Sequence, residues 1–258
     1  MGNTVRNITT IAGKELRGYF ASPVAWVTMG LFAILFGWFY NVHLDYFVRA
    51  AMRTQFGPPP PTNVNNDMIR PLLQNASVLM LFLLPMITMR TYAEEKRSGT
   101  IELLLTAPVT DVEIIVGKFL GVIGLYVALL GVTLLYVLLL FGLGSPEWRP
   151  LISGYLGLLL LGGCFIAVGL FISSTTKNQM VAGAATFVVA LMFWIISWFA
   201  ESAGPTLGPI LNYLSITQHF DDFGKGVIDT SHVVFYVSFI LFGLFLTLKS
   251  VDTERWRG

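Results

Sequence analysis

Charge is what this sequence has least of. Only 12% of its 258 residues are Asp, Glu, Lys or Arg, where an average soluble domain carries roughly 25%. Apolar residues make up 55%, and 20 phenylalanines outnumber the 16 lysines and arginines. So few charges cannot cover a water-exposed surface, so most of the chain must face lipid. The formal net charge of +1 excludes a nucleic-acid binder that works by neutralising phosphates. A single cysteine, Cys164, excludes an intramolecular disulfide framework and a cysteine-based zinc cluster. Three histidines are present: His43, His219 and His232. A metal set of His43, Asp45 and His232 can be drawn, but a lone histidine at a membrane interface is far more often a polar rim residue. No metal site is expected.

Catalytic motifs are missing too. The sequence has no Gly-x-x-x-x-Gly-Lys-Ser/Thr phosphate loop and no His-Glu-x-x-His, so neither an NTPase nor a zinc hydrolase is indicated. The adjacent carboxylates Asp221 and Asp222 point apart on a helix and read as an exposed rim. The chain is not expected to be an enzyme.

What the sequence does have is long apolar runs. A helix needs about 20 residues to cross roughly 30 Å of hydrocarbon. Six such runs occur, at 24–42, 71–89, 114–143 (with Lys118 near its start), 151–172, 180–200 and 233–248, the last being short. Backbone groups in lipid must bond internally, so these predict helices, without the alternating polarity of barrel strands. Ser22-Pro23 and Ser145-Pro146 offer helix starts before the first and fourth runs. Thr110-Asp-Val-Glu113 and Thr176-Lys-Asn-Gln179 read as capping boxes before the third and fifth.

Basic residues set the orientation. Eleven fall on one side (Arg6, Lys14, Arg17, Arg90, Lys96, Arg97, Lys118, Lys177, Lys249, Arg255 and Arg257) and five on the other (Arg49, Arg53, Arg70, Arg149 and Lys225). The richer side is expected to be cytoplasmic, with both termini inside. The first run is too long for a signal-peptide core and lacks a small-residue cleavage site, so it is expected to be retained.

Four segments lie between or before the runs. In residues 4–20, Val5, Ile8, Ala12, Leu16 and Tyr19 share one helical face, while Arg6, Lys14 and Arg17 fall largely opposite. That pattern predicts a basic amphipathic helix lying in the headgroup layer, either a mere anchor or an elbow towards a cytosolic partner. In residues 90–113 four charges, Glu94 to Arg97, precede a break at Ser98-Gly99-Thr100 and a short helix, Ile101–Thr106, stopped by Pro108. That helix is expected to expose Ile101, Leu104 and Leu105 beside Glu102, which calls for a partner's groove or the bundle's own membrane face, the alternative being that it packs under its own bundle. Residues 211–227 read as a short helix of mixed polarity at the outer surface. The outer loop 43–70 carries the stiff tract Pro58–Pro61, to which no role is assigned.

Ionisable residues inside spans mark proton or ion paths, and these runs hold essentially none, which disfavours a proton-coupled transporter. Glycines are plentiful at 117, 121, 124 and 131 and again at 154, 157, 162, 163 and 169. Close helix contact or a dimer seam is the usual reason.

Three stretches carry a resemblance: Lys14-Glu-Leu-Arg-Gly-Tyr-Phe-Ala-Ser-Pro23, Glu94-Glu-Lys-Arg-Ser-Gly-Thr-Ile-Glu-Leu-Leu-Leu-Thr-Ala-Pro108, and Leu214-Ser-Ile-Thr-Gln-His-Phe220 through Asp229 to Asp252-Thr-Glu-Arg-Trp-Arg257. Over nearly its whole length the chain resembles the permease subunits of ABC-2-type ABC transporters, in the branch of gliding-motility and copper-maturation permeases. The resemblance implies one all-helical transmembrane domain in a bacterial inner membrane, with short outer helices before span six. Residues 4–20 would be its connecting helix, using Lys14, Glu15 and Arg17. Residues 98–107 would be its coupling helix. Contact with the ATPase would fall on Glu94, Glu95, Arg97, Thr100, Ile101, Glu102, Leu104, Leu105 and Thr106.

The implied partners are two ABC ATPase subunits, which supply ATP and magnesium, and a second permease chain, identical or not. A periplasmic or auxiliary subunit would be a further partner. No residue is carried over as substrate-binding; export is only the family's usual direction. The competing reading is a non-transporting membrane anchor that passes ATPase-driven motion to a periplasmic machine.

Overall fold

The computed structural model describes residues 2–52, 63–101, 108–143, 146–200 and 202–255. Ten α-helices are found there: α1 (Gly2–Ala21), α2 (Pro23–Met52), α3 (Arg70–Thr88), α4 (Ala93–Ser98), α5 (Asp111–Leu143), α6 (Trp148–Thr175), α7 (Gln179–Ala200), α8 (Gly204–Leu214), α9 (Ile216–Gly224) and α10 (Thr230–Arg255). A single π-turn, Asn65–Ile69, leads into α3. No strand occurs among the described residues. Six helical stretches are long and apolar enough to cross a membrane, and they match the six runs in the sequence. They overshoot those runs because polar residues continue a helix past the hydrocarbon boundary. The last run, 233–248, is thus the middle of a helix that reaches Arg255.

Local chemistry fixes most of the boundaries. Pro23 takes the first position of α2, where its missing N–H is no loss, and the Val24 amide donates to Ser22 Oγ at 3.4 Å. The box at Thr110 forms in both directions, Thr110 N donating to Glu113 Oε2 at 3.0 Å and Glu113 N to Thr110 Oγ1 at 3.3 Å. The box expected at Thr176 does not form. Asn178 caps α7 instead, its Oδ1 accepting from Met180 N at 3.0 Å, because the shorter amide already reaches the first free N–H. The single helix expected over 211–227 is two, broken at Ser215, whose extended backbone (φ −74°, ψ 119°) ends α8 and whose hydroxyl caps α9.

Helix α6 is the axis of the bundle. Of its most apolar window 72% is buried, against 17% in α7 and 22% in α10, which leave broad faces for lipid. Glycines let the neighbours in: a Cβ on Gly157 would stand 2.6 Å from Phe223, and one on Gly163 would stand 2.8 Å from Ile240. The glycines of α5 serve α1. Side chains at Gly117 and Gly121 would collide with Ile11 at 2.7 Å and Glu15 at 2.6 Å, so this stripe seats α1 within the same chain. Buried tyrosines find carbonyl acceptors across helices: Tyr126 donates to Leu158 at 2.5 Å and Tyr236 to Ile216 at 2.7 Å.

The expected coupling segment at Glu102, Leu104, Leu105 and Thr106, the Pro58–Pro61 tract and the Ser145 cap lie outside the described residues.

Candidate functional site: a buried charged junction beside residues 98–107

The segment that precedes residue 102 is built as a joint. Helix α4 is only six residues long, too short to stand alone. Side chains from four other helices hold it and the turn that leads into it. Its first free N–H groups, those of Tyr92 and Ala93, both donate to Ser173 Oγ on α6 at 3.1 Å, and that hydroxyl donates to the Met89 carbonyl at 3.0 Å. One serine thereby satisfies three backbone groups at a buried helix start. Gly99 ends α4 in the left-handed conformation (φ 74°), which a side chain would strain.

Two buried lysines complete the attachment. Lys118 of α5 is 1% exposed and donates to Glu15 of α1 at 2.8 Å, Glu95 of α4 at 2.8 Å and the Thr91 carbonyl at 3.0 Å. Its ammonium also lies 5.1 Å from the centre of the Tyr92 ring. Lys96 reaches the other way, to the Ser174 carbonyl on α6 and to Glu254 of α10 at 2.5 Å. Tyr19 of α1 adds a hydroxyl contact to Thr91 at 3.2 Å; burial pushes its phenol upward, so it stays protonated. Helices α1, α5, α6 and α10 therefore all converge on one short element and its lead-in. A cavity of about 280 Å³ opens between α1 and this element, lined by Lys14, Glu15, Tyr19, Arg90, Glu94 and Glu95.

The residues singled out in the sequence divide into two sets. Glu15 and Glu95 turn inward onto Lys118. Lys14, Arg17, Glu94, Arg97 and Thr100 are exposed, with Glu94 paired to Arg90 at 3.2 Å and Thr100 touching Ser98 at 2.9 Å. Ile101 differs from expectation: it is 8% exposed and belongs to the bundle's apolar core. Its neighbours are the bundle's own helices, so it is not a free apolar contact. Lys96, Lys118, Ser173 and Glu254 were not singled out as site residues. Lys118 had a usable signal, a lone charge inside an apolar run; Ser173 had none.

Among the described residues the junction holds no nucleophile–base pair. Among the described residues no three His, Cys, Asp or Glu gather to hold a metal. The histidine set considered from sequence is dispersed: Asn75 Nδ2 donates to His43 Nε2 at 2.7 Å, Asp45 pairs with Arg49 at 2.9 Å, and His232 contacts other residues. At the opposite end of the bundle a second polar cavity of about 210 Å³ lies between α3, α7 and α9, with Gln74, Asn75, Ser77, Trp194, Thr217 and Asp221 on its walls.

Six apolar spans, three of them joined with α1 to a short helix by a buried charged junction, define a polytopic, all-helical membrane protein. The chain matches the family described as ABC-2 family transporter protein over residues 9–249, and it belongs to that family. Two curated relatives, the probable multidrug ABC transporter permease YbhR of Escherichia coli strain K12 and that of Escherichia coli O157:H7, are each 26% identical to it over 143 residues. The match covers 55% of this chain and 38% of theirs, so the chain spans well under half the length of these relatives.

Proposed function

We propose that this chain is the membrane-spanning permease subunit of an ATP-driven ABC-2-type transporter. It works as one of a pair of permeases, with ATP and magnesium handled by two separate ATPase subunits. The observation that carries this reading is the junction. A short helix that leads straight into residues 98–107 is tied by buried charges and hydroxyls to four other helices, so a force applied at 98–107 reaches all of them at once. The sequence has no phosphate loop of its own, so the energy must be delivered from outside.

The coupling segment is 98–107, with Thr100, Glu102, Leu104, Leu105 and Thr106 meeting the ATPase. Glu94 and Arg97 extend the contact from α4, and Lys14 and Arg17 from α1, whose basic outer face rests in the headgroup layer. Glu15, Glu95 and Ile101 act from within, fastening that surface to the bundle. The end of the bundle carrying both termini faces the cytoplasm of a bacterial inner membrane, as its excess of Lys and Arg requires. When the ATPases close, the junction moves as a unit and tilts the spans as rigid bodies. Export is the direction adopted. The cavity between α3, α7 and α9, with Gln74, Asn75, Thr217 and Asp221 on its walls, supports transport over a non-transporting anchor.

The test is purification of the chain from native membranes in mild detergent, with mass spectrometry of the proteins retained. A stoichiometric protein with a phosphate loop is expected, and it should crosslink to a cysteine placed at Thr106. If no ATPase is retained or crosslinked, the coupling assignment fails and the chain is a scaffold.

A further inference from the structure

At the end of the bundle away from the termini, α9 is held to the first turn of α10 by a chain of hydrogen bonds that the coupling mechanism does not use. His219 of α9 is 4% exposed and stacks on Phe235 with ring centres 3.9 Å apart. Its Nε2 lies 2.8 Å from the Tyr213 carbonyl, and its Nδ1 lies 2.7 Å from Nδ1 of His232. His232 Nε2 in turn lies 3.0 Å from Asp222 Oδ2, while Asp222 Oδ1 accepts from Lys225 Nζ at 2.8 Å.

Counting protons along this chain gives a definite answer. A carbonyl only accepts, so His219 Nε2 must carry hydrogen. A neutral imidazole has one N–H, so His219 Nδ1 is then a lone pair, and His232 Nδ1 must donate to it. An ionised carboxylate also only accepts, so His232 Nε2 must carry hydrogen as well. His232 therefore holds two N–H groups. Placing the extra proton on Asp222 or His219 rearranges the donors and leaves the total unchanged. Without that proton one of the three contacts must fail: two lone pairs meet at 2.7 Å, a lone pair meets the carboxylate at 3.0 Å, or a lone pair meets the Tyr213 carbonyl at 2.8 Å. We infer that Asp222, His232 and His219 form a binding site for a single proton, and that the bound proton clamps α9 onto α10.

Its surroundings suit a cation. Asp221 and Asp222 lie on α9; Asp229 in the preceding turn is held by Ser231 N at 2.8 Å and Oγ at 2.9 Å. Against them stand Lys225 on Asp222 and, from α3, Arg70 3.8 Å from Asp221. Tyr213 of α8 presents a ring edge to His219, Tyr236 of α10 spends its hydroxyl on the Ile216 carbonyl, and Cys164 of α6 donates to the Tyr236 carbonyl. Helix α7 has no ionisable side chain. Asp222 is held below the usual carboxylate range by its bonds from Lys225 and His232, and burial lowers His219.

Closing the clamp binds the proton and opening it releases the proton, so the contact is favoured at low pH and weakens as the pH rises. Because Thr217, Phe220 and Asp221 of α9 line the polar cavity beside α3 and α7, releasing the clamp reshapes that cavity. The inference is independent of what the chain transports.

The test uses the full chain in lipid nanodiscs with nitrogen-15-labelled histidine. His43→Gln leaves only the two rings of interest, and nitrogen shifts report which ring atoms carry hydrogen. At about pH 6 we expect His232 protonated on both nitrogens and His219 on Nε2 alone, a single proton leaving the pair on raising the pH. Hydrogen exchange of the α9 amides, corrected for intrinsic rate, should quicken at least about tenfold on deprotonation. Asp222→Asn should lower the midpoint by about one unit, the low end for a lost counter-charge because Asp222 is partly exposed. His232→Phe should abolish the pH dependence of exchange. Two neutral rings in an intact α9 at about pH 6, or two rings titrating independently near ~6.5, overturn the inference. The unsubstituted pair decides the matter even if a variant fails to fold.

Discussion

Replacing Lys118 by methionine should destabilise the bundle far more than an ordinary surface change, and the structure sets the size. Methionine fills similar space but leaves Glu15 and Glu95 facing the same gap with no cation between them. Each carboxylate lies 2.8 Å from the ammonium, a gross attraction of about 6 kcal/mol at an effective dielectric constant of about 20. Desolvation offsets most of that in the intact protein. What remains when one partner of a buried set is removed is about 3–5 kcal/mol. The two glutamates are 16% and 18% exposed, so water relieves part of the strain and the lower end, about 3 kcal/mol, is expected. That is roughly a hundredfold in the folded-to-unfolded ratio, or about 6–12 °C in apparent melting temperature for a chain of this size.

The control is the triple variant K118M/E15Q/E95Q. With no charge left to bury, most of the loss should return, to within about 1 kcal/mol, as neutral replacement of buried ion sets generally allows. Melting monitored by size-exclusion fluorescence in one detergent compares the three proteins. If K118M melts within about 2 °C of the parent, a shift of at most about 1 kcal/mol, the triad lacks the stability assigned to it. If the triple variant is as weak as K118M, the loss comes from packing of the lysine stem, and the electrostatic argument is refuted.

Three further outcomes follow from the same geometry. Ser173→Ala removes the acceptor for two buried amides and should cost about 1–3 kcal/mol, with the Tyr92 and Ala93 amides exchanging faster by mass spectrometry. Gly121→Leu drives a side chain into Glu15 and should lift α1 off α5, exposing a cysteine placed at Ala12 to maleimide; unchanged labelling would mean that the glycine stripe is not the seat of α1. Replacing Leu104 and Leu105 together by Asp should abolish ATPase copurification and transport while the melting temperature stays within about 2 °C; retained ATPase and activity would exclude this segment as the coupling contact.

The sequence showed the bundle more clearly than it showed the joint, for physical reasons. A span announces itself because every residue along it must answer to lipid, so 24–42 or 180–200 can be read by composition alone. The capping box at Thr110 is equally local and was legible to the residue. Lys118 and Glu95 are 23 residues apart, and Lys96 and Glu254 are 158 apart; nothing short of the folded bundle pairs them. Ile101 packs into the apolar core, the alternative to an exposed contact, and an apolar residue beside charges gives no local sign of which of the two holds. The amphipathic face of residues 4–20 was correct in part: Leu16 and Tyr19 do face inward, whereas Val5 is 63% exposed. The glycines showed close contact, but only the structure says that the partner is α1.

The two ends of the molecule use buried charge differently. At the junction, Lys118 pairs with two glutamates and Lys96 with Glu254, each lysine having a carboxylate within 2.8 Å. Such sets resist partial separation: a lysine moved by a few ångströms loses its partners at once and leaves buried charges unpaired. The joint therefore favours motion as a block, as transmission from 98–107 to four helices requires. At the other end the contact between α9 and α10 runs through two imidazoles, which share a single proton in the inferred clamp. A contact of that kind is made and broken by a proton without unfolding either helix. Stiffness is thus concentrated beside the segment proposed to receive force, and adjustability beside the polar cavity at the far end.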